Sequence, residues 1–122
     1  MTAISHRFTV PVERLTIGTA DGVRLAGARL GVADPAVVFF HGFMGWHRKP
    51  RVGRLTEALA RWFTVYAVDL RGHGQSGGSC TFGDREILDV EAVVEEARGR
   101  GHGLIATVGA SIHMNEGNLR TR

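Results

Sequence analysis

Residues 36–46 read AVVFFHGFMGW, and this segment gives the strongest indication of the fold. Five successive apolar residues, at positions 36–40, are typical of a strand buried on both faces of a parallel sheet. The run ends abruptly at His41 and Gly42, where glycine favours a turn. The segment therefore predicts a buried strand that leads directly into a tight loop.

Two further strands of this kind follow along the chain. Residues 63–70 are rich in β-branched and aromatic side chains and lead into a glycine-dense loop, DLRGHGQSGG, at residues 69–78. Residues 104–108 form a third short apolar strand, which enters Gly-Ala-Ser at residues 109–111. Each predicted strand therefore ends in a loop that contains glycine.

Two amphipathic helices are predicted between these strands. In residues 51–62, apolar side chains three or four positions apart share one face: Val52, Leu55, Leu59 and Trp62. The second helix is expected to start near Thr81, which lies three residues before Asp84 at capping-box spacing, and to end at Gly99 and Gly101. Its apolar face is expected to contain Ile87, Val90, Val94 and Ala97.

Residues 14–30 predict an antiparallel β-hairpin ahead of these elements. Leu15 and Ile17 alternate with polar neighbours, and the pair Asp21-Gly22 tolerates positive φ. The strand–helix–strand order after the hairpin implies a mainly parallel sheet with helices on its faces. The predicted class is α/β, in which ligands bind beyond the carboxyl ends of the strands.

The length of 122 residues suits a single domain, and 43% hydrophobic with 22% charged residues is typical of a globular protein. The single Cys80 excludes an internal disulfide. No apolar run approaches the roughly 18 residues of a membrane-spanning helix, and the N-terminus lacks a secretory apolar core. We expect no membrane span and a cytoplasmic location.

The net charge of +3 is too small to indicate nucleic-acid binding. The densest basic stretch contains Arg48, Lys49, Arg51 and Arg54. It is interpreted as the solvated start of a helix, with attraction of an anionic substrate as the alternative.

The three strand-and-loop segments together resemble the first half of the α/β-hydrolase fold. The resemblance rests on HGFMGW at residues 41–46, DLRGHGQSGG at residues 69–78 and GAS at residues 109–111, in the order and approximate spacing of the family. It extends to about residue 111. The glycine-rich loop most resembles the branch of serine aminopeptidases and monoacylglycerol lipases.

The resemblance implies hydrolysis of an ester, amide or lipid-acyl bond, with no cofactor. Ser111 would be the nucleophile by position. The backbone N–H groups of Phe43 and Ile112 would form the oxyanion hole, in a site lined by His41 and Gly42. Small-molecule acyl compounds would be the substrates.

The glycine-rich loop is expected to have a structural role. Asp69 and Arg71 would tie it down through charge-assisted hydrogen bonds, and His73 would shape the floor of the site. Gly72 and Gly74 belong to the same structural loop.

The chain departs from the family pattern after Ser111. Position +2 holds His113 where the family has glycine, and Glu116 is the only later carboxylate. His113 lies on the same turn as Ser111 and is poorly placed as its general base. We therefore expect a truncated or frame-shifted single domain, residues 1–122, with a divergent polar tail at 112–122 and weak or absent activity.

Three other interpretations receive less support. Residues 72–77 match G-x-G-x-x-G, but the predicted helix starts too late for a dinucleotide site. Cys80 paired with His73 would be a conceivable thiol nucleophile, and an incidental cysteine is the simpler interpretation. The remaining histidines, at positions 6, 47 and 102, are interpreted as surface residues, so no metal site is expected.

The two tryptophans are assigned separately. Trp62 is expected to pack in the core, and Trp46, near the oxyanion loop, is a candidate pocket residue.

The alternative function is a non-enzymatic remnant or interaction module. It would self-associate through the final strand, residues 104–108, which would be an uncovered sheet edge.

Overall fold

The computed structural model describes residues 7–41, 46–81 and 83–109, and the backbone of residues 120–121. The elements in chain order are β1 (Val12–Gly18), β2 (Arg24–Leu30), β3 (Ala36–Phe40), α1 (Pro50–Leu59), β4 (Thr64–Val68), α2 (Glu86–Gly99), β5 (Ile105–Gly109) and β6 (Arg120–Thr121). No helix among the described residues is long and apolar enough to cross a membrane.

One mixed sheet contains all of these strands, in the order β1-β2-β4-β3-β5-β6. β1 and β2 pair antiparallel, and β2 runs antiparallel to β4. β3 lies in the middle and is parallel to both β4 and β5. The predicted α/β class, with a hairpin followed by parallel strands and flanking helices, is confirmed.

The hairpin turn contains the predicted Asp21-Gly22 pair. Gly22 adopts φ +87°, a left-handed conformation that favours glycine. The hydroxyl of Thr19 accepts a hydrogen bond from the Val23 N–H at 2.9 Å and donates to the Asp21 carboxylate at 2.5 Å. The turn is therefore fixed by its own side chains as well as by strand pairing.

Alternate residues of the central strands point to opposite faces of the sheet. Tyr66 and Val68 of β4 pack in a cluster that includes Val93 and Ala97 of α2. Val65 and Ala67 of the same strand pack in a second cluster, which includes Ala60 and has Val52 and Leu59 packed against it. Helices α1 and α2 therefore cover opposite faces.

The buried face of α1 matches the predicted one only in part: Val52 and Leu59 pack against the core as expected. Gly53 and Thr56 are its buried residues, whereas Leu55 is 45% exposed. Trp62 lies beyond the helix end and is 73% exposed, so its predicted packing in the core is wrong. Small residues allow α1 to approach the sheet closely, and the larger apolar side chains lie at the margin or outside.

Helix α2 agrees with its prediction in part, since Ala97 is buried and Val90 and Val94 pack against the core. Its buried residues are Asp89, Val93 and Ala97, and Ile87 is 56% exposed. Glu86, rather than the predicted Asp84, provides the carboxylate that reaches back to Thr81. The Thr81 hydroxyl accepts from the Arg85 N–H at 2.8 Å, so Thr81 still organises the start of the helix.

The outer edge of β5 is partly covered. β6 pairs antiparallel with it, Val108 opposite Thr121 and Gly109 opposite Arg120. The expectation of a wholly uncovered final strand is therefore wrong for the carboxyl end of β5. The strand itself runs from Ile105 to Gly109, one residue later than predicted.

Candidate active site

The carboxyl ends of β3, β4 and β5 meet at one edge of the sheet. Phe40 at the end of β3 pairs with Val68 of β4 on one side and with Gly109 of β5 on the other. His41 and Asp69, which directly follow β3 and β4, therefore start side by side, next to the end of β5 at Gly109. This is the place where α/β sheets bind their ligands.

Asp69 joins two loops at this edge and is fully buried. Its Oδ1 accepts the His47 N–H at 2.5 Å and lies 3.0 Å from His47 Nδ1. Its Oδ2 accepts the Gln75 N–H at 3.1 Å. One carboxylate thus holds the segment after β3 against the glycine-rich loop after β4.

Gly74 is required by this arrangement. It adopts φ +51°, and a Cβ there would lie 2.2 Å from Asp69 Oδ2 and 2.9 Å from Trp46 Cβ. Only a residue without a side chain leaves the carboxylate free to accept its hydrogen bonds. Trp46 is half-buried beside this contact, and its ring meets that of His47 edge-on, with centroids 5.8 Å apart.

His41 is buried directly after β3. Its Nε2 accepts the Leu70 N–H at 3.0 Å, which places the proton of the neutral ring on Nδ1. The His73 ring lies 5.0 Å from the His41 ring, and His73 Nδ1 is 3.1 Å from the Arg71 carbonyl oxygen, to which it donates. The two imidazoles therefore pack against each other between β3 and the glycine-rich loop.

Arg71 fixes the other side of the loop and is 3% exposed. Its guanidinium donates to both Asp89 of α2 and Asp21 of the hairpin, at 2.8–3.1 Å. Hydrogen bonding to Arg71 is the main cause that lowers the pKa of Asp21, and these bonds to Asp21 and Asp89 raise the pKa of Arg71. The loop is thereby fastened to two elements that are distant in sequence.

Ser76 attaches the loop to β2. Its hydroxyl accepts the Ala26 N–H at 2.8 Å and donates to the Asp69 carbonyl oxygen at 2.6 Å. Gly77 continues this pairing, since its N–H donates to the Arg24 carbonyl oxygen at 2.7 Å. The Gly72 N–H donates to the Gly77 carbonyl oxygen, so the loop closes on itself.

This loop does not have the geometry of a dinucleotide site. A Rossmann turn passes directly into a helix whose N-terminus faces the pyrophosphate. Here α2 starts at Glu86, well after Gly77, and the Gly72 N–H is bonded within the loop.

Two residues of this edge have roles that the sequence did not predict. His47 was expected at the surface and is only 5% exposed, bonded to Asp69. The position of Ser76 within the glycine-rich motif does not predict its hydrogen bonds to Ala26 and Asp69. No spacing or periodicity distinguishes His47 from a surface histidine, because its partner lies 22 residues away.

Four predicted site residues, Gly42, Phe43, Ser111 and Ile112, lie outside the described residues. Their assignment as oxyanion hole and nucleophile remains a prediction. Among the residues that the structure describes, no group of three or more His, Cys, Asp or Glu side chains could hold a metal ion. Cys80 is a half-buried free thiol.

Comparison with known proteins agrees with this arrangement of strands and loops. Residues 37–112, more than half of the chain, match the model of the alpha/beta hydrolase family. The chain therefore belongs to the alpha/beta hydrolase family.

Solved structures and a curated relative resemble the chain. The Pyrococcus furiosus esterase Pf2001 is 30% identical with a TM-score of 0.77, over 85% of this chain and 41% of that one. An alpha/beta hydrolase from Sphaerobacter thermophilus is 33% identical with a TM-score of 0.60, over 78% and 35%. Ethanol acetyltransferase 1 of Eremothecium cymbalariae is 40% identical over 53 residues, which are 43% of this chain and 15% of that protein. The chain thus spans less than half the length of each.

Proposed function

We propose that this chain carries the first part of a serine hydrolase site for ester, amide or lipid-acyl bonds. Ser111 is the nucleophile, and the N–H groups of Phe43 and Ile112 bind the oxyanion. The observation that carries the proposal is the common edge at which β3, β4 and β5 end, with Phe40 paired to both Val68 and Gly109. The two strands that lead into the proposed oxyanion and nucleophile segments therefore end next to each other.

The named relatives support acyl chemistry. One is an esterase and another an acetyltransferase, and both names describe reactions at an acyl group. In such reactions negative charge develops on the carbonyl oxygen, so backbone N–H groups directed at that oxygen stabilise the transition state.

We further propose that the chain alone turns over substrate weakly or not at all. After Ser111 the sequence holds one histidine, His113, and one carboxylate, Glu116. A serine without a positioned general base is a poor nucleophile, and loss of that base costs several orders of magnitude in rate.

Ester turnover by the purified chain tests whether its set of catalytic residues is incomplete. We expect hydrolysis of p-nitrophenyl acetate by wild type and by Ser111→Ala to be equally close to the uncatalysed rate. Robust hydrolysis that Ser111→Ala abolishes would refute the proposed incompleteness while supporting the nucleophile.

A chimera tests the hydrolase assignment itself. Residues 1–111 of this chain are joined to the part of the Pyrococcus furiosus esterase that follows its matching residue. We expect p-nitrophenyl acetate hydrolysis at least 100-fold above that of the isolated chain, and its loss in the matched chimera with Ser111→Ala. A chimera that is folded by circular dichroism but inactive would contradict the assignment.

A second candidate function, self-association through β5, is favoured by the composition of that strand. Ile105–Gly109 reads IATVG and contains no charged residue, and its side chains are half-buried. Leu104, directly before it, is 73% exposed. An apolar strand near a sheet edge is a template for pairing with another strand.

A further inference from the structure

The outer face of α1 and of the turn after it is strongly basic. Arg51, Arg54 and Arg61 are exposed there, and none forms an ion pair with another described residue. Glu57 is the only carboxylate between positions 48 and 62, and it accepts hydrogen bonds from the N–H and hydroxyl of Thr9. With three arginines and one carboxylate, this face has a net positive charge among the described residues.

Two large apolar side chains share this face. Leu55 is 45% exposed, on the side of α1 opposite the buried Gly53 and Thr56. Trp62 is 73% exposed. Its backbone N–H donates to the Leu59 carbonyl oxygen, so the turn continues directly from the end of the helix. This surface therefore presents an apolar aromatic ring together with positively charged side chains.

A groove runs beside the helix on the same side. It has a volume of about 420 Å³ and lies between residues 7–10 and α1. Three arginines line it, Arg7, Arg54 and Arg61, with Glu57 as the one acidic residue. Guanidinium groups bind phosphate oxygens with paired hydrogen bonds, so the groove suits a phosphodiester group.

The opposite face of the sheet pairs most of its charges: Glu95 and Glu96 of α2 form ion pairs with Arg98 and Arg100. Helix α2 exposes Glu91 and Glu95, which line a groove together with Glu96. Ile87 is exposed on α2 in this acidic setting. Because α1 and α2 cover opposite faces, the arginines of α1 that form no ion pair with a described residue and the paired charges of α2 lie on opposite sides of the sheet. The α1 side is therefore the one that an anionic surface would attract.

We infer that the basic face, defined by Arg7, Arg51, Arg54, Leu55, Arg61 and Trp62, docks onto the surface of a bilayer that contains anionic phospholipid. The arginines bind headgroup phosphates, and Trp62 with Leu55 enters the interface beneath them. The exposed tryptophan and leucine favour a bilayer over a nucleic acid, whose backbone offers no apolar layer. This inference is independent of the proposed hydrolase chemistry.

Vesicle sedimentation tests the inference without an activity assay. The full chain is mixed with vesicles of phosphatidylcholine alone or with a quarter phosphatidylglycerol, in 0.1 M and 0.5 M NaCl. We expect binding only to the anionic vesicles, weakened by high salt. Arg54→Gln/Arg61→Gln is expected to lower affinity about tenfold or more, because each cation near such a surface adds about 1 kcal/mol.

Variants at the start of α2 and within it, on the opposite side of the sheet, provide the controls. Arg85→Gln/Arg98→Gln removes the same charge from exposed positions and is expected to leave affinity within about twofold. Trp62→Gln is expected to weaken binding several-fold, and Ile87→Gln to leave it unchanged. Circular dichroism melting shows that each variant is folded.

Four results would overturn the inference. They are absence of binding by the wild type, equal binding to neutral and anionic vesicles, an equal loss in the two arginine pairs, or tighter binding to double-stranded DNA that depends on the same face.

Discussion

Asp69 accepts hydrogen bonds from both loops of the candidate site. Its two carboxylate oxygens bind the N–H groups of His47 and Gln75 and the His47 ring, and the side chain is fully buried. A buried carboxylate is stable only when such donors surround it. Asp69 therefore sets the distance between the loop after β3 and the loop after β4.

Asp69→Asn is expected to destabilise the chain by about 2 kcal/mol, because an amide N–H would face a backbone N–H and leave it without an acceptor. Urea unfolding followed by circular dichroism measures this. Asp34→Asn, at an exposed position, is the matched control and should change stability by less than about 0.5 kcal/mol. Equal stability of the two variants would show that the Asp69 contacts contribute little.

Gly74→Ala tests the close approach of the loop to Asp69. The new methyl would lie 2.2 Å from Asp69 Oδ2, so we expect a loss of about 3 kcal/mol in unfolding free energy. Gly101→Ala is the control. Gly101 has φ +98°, and a Cβ added there would meet open space. Gly101→Ala should therefore lower the unfolding free energy by about 1 kcal/mol through backbone strain alone. Equal losses in the two variants would contradict a steric role for Gly74.

The residues of the site were predictable only in part. His41 and the glycines of the loop at residues 69–78 belong to motifs that each follow a predicted strand. The order of these motifs indicates that they meet at the edge where the strands end. The partners of Asp69 and Arg71 were not predictable, because Arg71 reaches Asp21 and Asp89, 50 and 18 residues away. Contacts at such separations depend on the assembled sheet, and a single sequence carries no periodic signal of them.

The helices show where periodicity misleads. Spacing of large apolar residues placed Trp62 and Ile87 on buried faces, yet both are mostly exposed. The faces that pack on the sheet combine apolar residues such as Val93 with polar residues such as Thr56 and Asp89, which are fully buried. Thr56 satisfies its hydroxyl within the helix, donating to the Gly53 carbonyl oxygen at 3.1 Å, and Asp89 binds Arg71. A hydrophobic pattern does not record polar residues that are buried with a partner.

The start of α2 depends on Glu86 in a pH-sensitive way. Burial raises the pKa of Glu86, but hydrogen bonds from the Thr81 hydroxyl and from the N–H groups of Thr81 and Gly83 outweigh it and lower the pKa from 4.5 to about 2. Because the folded pKa is the lower one, this stabilisation is complete above pH 4.5 and is lost as the pH falls towards 2.

Glu86→Gln should therefore lower the urea midpoint at pH 7, and the difference from wild type should shrink between pH 4.5 and pH 2. Unfolding curves at several pH values measure this. Glu91→Gln, an exposed position on the same helix, should follow the wild-type profile throughout. A constant difference between wild type and Glu86→Gln would contradict a role for the Glu86 charge.

The arrangement of strands was the most predictable feature of the chain. Apolar runs, turn glycines and the alternation of strands with helices led to the α/β class, and the sheet has the expected hairpin and parallel centre. The short strand β6 was not predicted, because two residues, Arg120 and Thr121, have no apolar pattern. It pairs with only Val108 and Gly109, so residues 105–107 have no strand on their outer side among the described residues.

The two edges of the sheet differ in the protection they carry against pairing with another chain. The edge strand β1 contains Glu13 and Arg14, and charged residues disfavour pairing at an edge. Near the other edge, β5 carries no charged residue, follows the exposed Leu104 and is paired with β6 only at Val108 and Gly109. Self-association, where it occurs, should therefore use the β5 side.

Leu104→Lys tests this asymmetry, because a lysine beside an open strand opposes addition of a second strand. We expect sedimentation velocity at rising protein concentration to show a dimer fraction in the wild type that falls at least several-fold in Leu104→Lys. Val12→Lys, at the opposite edge, replaces another exposed apolar residue and should leave that fraction unchanged. A wild type that stays monomeric at all concentrations, or an equal fall in both variants, would contradict pairing through β5.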